Sequence, residues 1–258
     1  MSMPIHAVTE VYGTEGLRAR LGFELEFLDG GGQALVARAD RVATRLHADD
    51  LRVREPYVNH LLRCTIRIVH YYRVRDAEVI AAMWLHDSVE DHPSELADFA
   101  TAAQRAAGET KAALAVVRRA FTPRVASLVR SVTNPEYAPD RSHHEQYREH
   151  VIASLERDPW ARVLKLSDFT DNGLGIIHAP GPIVLKLTRK YAPLVPHLRD
   201  FANRHDTPLD QEAKVHITQQ IGHGEERFRA ILADAAEAAA AADDDGGSGD
   251  GDEGADER

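Results

Sequence analysis

The sequence predicts an all-α domain, and three observations carry that expectation. From Gln33 onward apolar residues recur at spacings of three and four; helix-starting and helix-stopping residues punctuate the runs; and strand-like alternation is confined to RLGFELEFLDG, residues 20–30. That stretch reads as a possible short β ribbon near the N-terminus. Residues 1–32 otherwise lack a clear period and end in the loop signal Asp29–Gly32, so they read as an N-terminal extension.

The helices follow in order. Residues 33–50 put Leu35, Ala39, Val42, Ala43 and Leu46 on one face. Tyr57 to Tyr72 does the same with Leu61, Leu62, Thr65, Ile68 and Val69. Asp76 to Glu90 reads as one helix, with Asp76 as its N-cap before AEVIAAMWL. RVASLVRSV is a short apolar helix stopped by TNPEYAPD, and residues 142–156 form a charged helix carrying His143, His144 and His150 on its surface. Asp158-Pro159 sets an N-cap followed by Pro at the first helical position, and Gly173 closes that helix. Pro182 to Tyr191 and Asp210 to Ala242 complete the set, giving one domain over roughly 33–235.

Composition narrows the function. The chain has 258 residues and one cysteine, Cys64, so no internal disulfide can form. The start, MSMPIHAVTE, lacks a signal-peptide pattern, and no apolar run approaches the roughly 18 residues of a membrane helix. A soluble, cytoplasmic protein without a membrane partner is expected. The formal charge is −10, but residues 243–258, with eight acidic residues and one Arg, contribute −7 of it and leave −3 for the rest. That tail of Asp and Gly cannot bury enough apolar surface to order itself, so it is expected to be disordered. The near-neutral remainder has no basic block, which argues against a duplex-DNA face.

Four polar clusters interrupt the apolar helices: His60 in EPYVNHLL, the run His86 to Asp91, the group Asp168, Asp171 and Asn172 in VLKLSDFTDN, and Arg52 before Glu55-Pro56-Tyr57. On a helix His86 and Glu90, like Asp87 and Asp91, would share a face. An imidazole beside a carboxylate can bind one divalent cation, and His60 and Asp168 are the obvious residues to complete its shell. Two imidazoles and two carboxylates suit Mn²⁺, with water at open positions. A thiolate-rich Zn²⁺ site is excluded by the single cysteine. A lone His-Asp pair is common by chance, and with 14 histidines most must be ordinary; the joint pattern is what singles these out.

That pattern resembles the hydrolase domain of the Rel/SpoT-type (p)ppGpp enzymes, within the HD superfamily of metal-dependent phosphohydrolases. EPYVNHLLRC is similar to that family's GEPYIxHPL segment and AAMWLHDSVED to its AALLHDVVEDT segment, whose signature is HDxxED. RVLKLSDFTDN is similar to IKLADRLHNM, and KYAPLVPHL to IYAPLAHRL. The four segments lie in collinear order over roughly 35–200.

The resemblance implies an HD-type helical bundle, with His60, His86, Asp87 and Asp168 as metal ligands. Glu90 and Asp91 match the acidic pair that handles the attacking water, Asn172 matches a substrate-side Asn, and Arg52 matches the loop Arg that packs on the nucleotide base. Arg52, Lys165 and Lys186 could supply positive charge to phosphates. Leu61 stands where the family has Pro, and residues 134–145 match none of its segments, departures that fall on substrate choice. The implied reaction is hydrolysis of the 3′-pyrophosphate of a ppGpp-type nucleotide, in the manner of the stand-alone small alarmone hydrolases, with a cognate alarmone-synthesising toxin as a possible partner. Hydrolysis of ppApp, of a 2′-phosphorylated dinucleotide or of a pyrophosphorylated tRNA end, general nucleotidase activity, and a silent nucleotide-binding regulator stand as alternatives.

Overall fold

The computed structural model describes residues 3–52, 55–175 and 181–246, with residue 182 and residues 242–246 described by backbone alone. It is built of fourteen α-helices among the described residues: α1 (Ile5–Glu24), α2 (Gly30–Leu46), α3 (Val58–Ile66), α4 (Ala77–Trp84), α5 (Ser88–Asp91), α6 (Pro93–Ala97), α7 (Ala102–Arg105), α8 (Glu109–Ala120), α9 (Pro123–Val132), α10 (His143–Arg157), α11 (Pro159–Asn172), α12 (Gly181–Tyr191), α13 (Val195–Asn203) and α14 (Gln211–Gly246). The sheet is a two-stranded antiparallel ribbon, β1 (Leu51–Arg52) and β2 (Glu55–Pro56), pairing Arg52 with Glu55.

The ribbon therefore lies in the segment that carries Arg52, and Arg20–Glu24, expected as strand, finish α1. α1 was hidden in the sequence by Gly13. At φ +59° and ψ −152°, a conformation open almost only to glycine, it breaks the helix between buried Val8 and buried Leu17 and shifts the apolar phase. The Gly30–Gly32 run is likewise not a loop. The Asp29 carboxylate accepts from the Gly32 N–H at 2.7 Å and caps α2, and a Cβ at Gly32 would stand 3.2 Å from that of Ala77. α14 continues through Gly246, four residues into the segment expected to be disordered; residues 247–258 lie outside the described residues.

α3 and α4 form the centre of the core. Every residue of α3 is buried, Asn59, His60 and Arg63 included, and α1, α4 and α11 pack around it. α2 and α9 cover α4. Such complete burial of polar groups on one helix requires partners inside the protein. Asp171 of α11 serves His60 and Arg63, while Thr14 of α1 and Glu55 of β2 serve Asn59 and the rest of Arg63. α11 starts where the sequence placed it: the Asp158 carboxylate accepts from the N–H groups of Trp160 and Ala161 at 3.0 and 3.2 Å, and Pro159 follows at the first position. It ends at Gly173 in ordinary right-handed geometry. Glycine is needed there for space, since a Cβ would lie 2.6 Å from the Phe169 ring.

Because α11 carries two of the site's carboxylates, its cap bears on the site. Asp158→Ala should lower unfolding stability by about 1 kcal/mol, read from urea denaturation of the full chain.

Candidate active site

The helix expected over Asp76–Glu90 breaks at residues 85–87, and this break builds the site. The Leu85 N–H bonds back to both Ala81 and Ala82, and the Ser88 N–H takes the Leu85 carbonyl, so α4 ends in a tight turn. The His86 ring uses the same turn: its Nδ1–H donates to the free Met83 carbonyl at 2.8 Å. That bond fixes the tautomer, leaving the Nε2 lone pair facing inward. His86 and Glu90 consequently do not share a helical face.

His60, from α3, presents its own Nε2 to the same point, 3.3 Å from His86 Nε2. Asp87 Oδ2 lies 3.3 Å from His60 Nε2 and 3.0 Å from His86 Nε2. Asp168 Oδ1, from α11, lies 3.5 Å and 3.7 Å from the two ring nitrogens. Four donor atoms from three segments thus converge on one point. With both Nδ1 positions engaged as donors, each ring has only Nε2 left to turn inward. In their neutral form the two imidazoles would direct lone pairs to a point shared with two carboxylates, an arrangement that a cation satisfies. The donor set is nitrogen and oxygen, which fits a borderline-to-hard divalent ion. The local field has the sign such an ion needs: burial alone would push the His86 ring down, yet Asp87 and Asp168 outweigh it and hold it well above the usual imidazole range.

Cys64 stands close by, and His60, Cys64 and His86 form a further group of potential donor atoms within 4.8 Å of one another. Its sulfur is 3.6 and 3.8 Å from the two nitrogens of His60, so it leans on the ring rather than lying in line with either lone pair.

Asp171 sits behind His60. It accepts from His60 Nδ1 at 2.9 Å, from Arg63 Nε at 2.9 Å and from the second guanidinium, Arg67, at 3.1 Å. Burial would raise its pKa, but Arg63, His60 and Arg67 hold it well below the usual carboxylate range. It orients and electronically supports the imidazole, the arrangement common behind metal-bound histidines. Tyr57 does a similar service for Asp87, donating to its Oδ2 at 2.7 Å.

Glu90 and Asp91 stand on α5. Burial, with Asp87 and Glu90 nearby, raises the Asp91 carboxyl to about 6. Glu90 accepts two hydrogen bonds from Asn134, from its backbone N–H at 3.0 Å and its amide at 2.8 Å. Tyr137 in turn donates to Asn134 at 3.1 Å. The loop the resemblance did not cover therefore fixes one of the two acids.

A cavity of about 450 Å³ opens beside Glu90, lined among others by Asn134, Tyr137, Tyr147 and Lys190. His143 lines it while staying exposed, as His144 does, and of the three only His150 departs from the expected surface position, half-buried against the Thr133 carbonyl at 3.1 Å. Lys165 donates to Asp168 Oδ2 at 2.8 Å. Lys190, rather than exposed Lys186, reaches the cavity; burial and Lys165 lower its pKa. Arg52 lies over the Tyr57 ring and donates to Asn172, whose amide donates to Asp168, so the two expected substrate-side residues meet beside the cluster.

An all-helical bundle with a paired His-Asp centre is the arrangement that the sequence resemblance to HD-type domains implies. In particular, the chain is similar in sequence and in fold to proteins of the Rel/SpoT type. It is 31% identical over 139 residues to the guanosine-3′,5′-bis(diphosphate) 3′-pyrophosphohydrolase of Aquifex aeolicus (strain VF5), a match covering 53% of this chain and 17% of that protein. The chain thus spans about a sixth of the length of that relative. A solved structure of a metazoan ortholog of SpoT, which hydrolyses ppGpp and plays a role in starvation responses, shares the fold with a TM-score of 0.53 and 21% identity, over 73% of this chain and 93% of that one. No family model matches the chain. No described helix is long and apolar enough to cross a membrane.

Asp171→Asn should weaken divalent-metal binding by roughly 10–100-fold while the chain stays helical. Titration calorimetry with circular dichroism checks both; unchanged affinity would remove Asp171 from the site.

Proposed function

We propose that the chain is a metal-dependent pyrophosphohydrolase that removes the 3′-pyrophosphate of (p)ppGpp-type nucleotides. The observation that carries this reading is the convergence of His60 Nε2, His86 Nε2, Asp87 Oδ2 and Asp168 Oδ1, with Glu90 and Asp91 on the next turn. The Aquifex aeolicus relative's activity and the ppGpp hydrolysis of the structural neighbour support it.

Those four residues would hold the ion, for which the mixed nitrogen and oxygen set favours Mn²⁺. When bound, it supplies an activated water and neutralises charge on the phosphoryl oxygens. The protein's own groups do the rest. Asp91, with its raised pKa, is suited to take the water's proton near neutral pH. Glu90, clamped by Asn134, has a fixed orientation toward the cavity and can align that water. Lys190 brings positive charge into the cavity beside Tyr137 and over the Tyr147 ring, Lys165 lies on that ring and on Asp168, and Arg52 adds charge at the donor cluster through Asn172. Phosphoryl transfer depends on positioning and charge neutralisation, and these groups supply both.

The cavity wall is also where the chain departs from the family segments, so ppApp or another 3′-pyrophosphorylated nucleotide remains within the same reading. An antitoxin role opposite an alarmone-synthesising toxin would act through this hydrolysis, in the cytoplasm where such nucleotides accumulate.

Purified protein with Mn²⁺ should convert ppGpp or ppApp and water to the nucleoside 5′-diphosphate and pyrophosphate, and chelator should stop it. No release from either nucleotide refutes the proposal. Asp87→Ala should abolish turnover with the helical content intact. Glu90→Gln and Asp91→Asn should keep the ion yet each lose roughly 10²–10⁴ in rate; wild-type turnover at full metal occupancy in both would show that they do not act on water.

A further inference from the structure

A second group of potential ligands lies on the other side of Tyr57. His47, at the C-terminal end of α2, points Nδ1 at Asp50 Oδ2, 2.7 Å away. His92, at the junction of α5 and α6, brings its Nε2 to the same oxygen, also at 2.7 Å. The two rings meet edge to face with centroids 4.6 Å apart, and the three donor atoms lie within 4.8 Å of one another. From this geometry we propose that His47, Asp50 and His92 form a second divalent-cation site, separate from the His60–His86–Asp87–Asp168 cluster.

Three features separate this group from a chance surface cluster. His47 is fully buried, so the folded chain has already met the cost of placing one ligand. Its Nε2 has no hydrogen-bond partner among the described residues, so nothing on the far side of the ring fixes the tautomer against a lone pair on Nδ1. His92 has the opposite support: its Nδ1 lies 3.1 Å from Glu95 Oε1, and an N–H donated there directs the Nε2 lone pair at Asp50. Without an ion, His92 faces a carboxylate from each nitrogen and must be doubly protonated to satisfy both. A cation replaces the two ring protons pointed at Asp50 and relieves the crowding on its Oδ2. Asp50 is partly exposed, which leaves a side open to water and to the entering ion.

Two imidazoles and one carboxylate select a borderline ion such as Zn²⁺ or Co²⁺ over Mg²⁺ or Ca²⁺, with water completing the shell. The position gives the ion a structural task. Tyr57 stacks on His47 with centroids 4.5 Å apart and an 8° interplanar angle, and its hydroxyl holds Asp87. His92 directly follows Asp91. An ion here would tie the end of α2 to α5 and steady both Tyr57 and Asp91.

The test is stoichiometry in the full chain, stripped with chelator and titrated with Zn²⁺ and with Co²⁺, whose visible spectrum reports its ligands. Wild type should bind two ions. Asp50→Asn and His92→Gln, changes at partly exposed positions, should each bind one, and Asp87→Ala should keep one with the Co²⁺ spectrum of the second site. Asp87→Ala combined with His92→Gln should bind none. Equal ion counts and identical Co²⁺ spectra in wild type, Asp50→Asn and His92→Gln would overturn the proposal and leave a His–Asp–His hydrogen-bonded group. Because binding at the second site is read in Asp87→Ala, it does not depend on any hydrolase activity.

Discussion

The Asp171 carboxylate is the interaction on which the rest depends. It is buried, it comes from α11, and its partners His60, Arg63 and Arg67 all come from α3 or the turn that continues it. A carboxylate and two guanidiniums removed from water are costly unless each lone pair and N–H is matched, and here they are matched across one helix pair. Glu55 takes the remaining Arg63 donors at 2.9 and 2.7 Å, tying the β ribbon to the same network. The spacing of α3 from α11 is thereby set by charge pairing rather than by apolar fit alone. That spacing is also the distance between His60 and Asp168, so the network that holds the core together determines whether the four donor atoms meet.

The second determinant is the interruption after α4. A continuous helix through Glu90 would carry His86 and Asp87 around its axis and part them from His60. Ending the helix at Trp84 lets one imidazole cap the Met83 carbonyl and face the centre at once. The short α5 then restarts in a new direction, which sends Glu90 toward the loop after α9 and leaves Asp91 near Tyr57. One break in regular structure separates groups that converge on a single point from groups that face the cavity.

Much of the architecture was legible because local signals agreed with tertiary packing. Asp76 and Asp158 cap α4 and α11 as their neighbours in sequence indicated, and α9, α10 and α12 form where expected. The helix expected through Tyr72 keeps α geometry to Ile66 and widens into a π turn over Arg67–Tyr71. What was hidden has physical reasons. α1 lost its period at Gly13, the start of α2 was disguised by three glycines of low helix propensity, and the break at 85–87 depends on a side chain capping its own turn. At the site, the residues of the familiar segments could be read directly. Asp171 stood in view beside Asp168, but its tie to His60 spans 111 positions and no periodicity reports it. Asn134 and Lys190 were missed for the same reason: their roles arise from helices that meet only in three dimensions.

The Asn134 clamp on Glu90 has a further consequence for how such a domain can diversify. The convergent donor atoms reside on α3, on α11 and on the turn after α4, all packed into the interior. The other half of the cavity rests on an exposed connection between α9 and α10, joined to the reacting side chains by one asparagine. Insertions or exchanges in that connection can reshape what the cavity admits while leaving the interior untouched. On the proposed reading, the chain separates a chemical centre held by the core from a cavity wall held by a loop, so the wall can vary while the centre stays fixed.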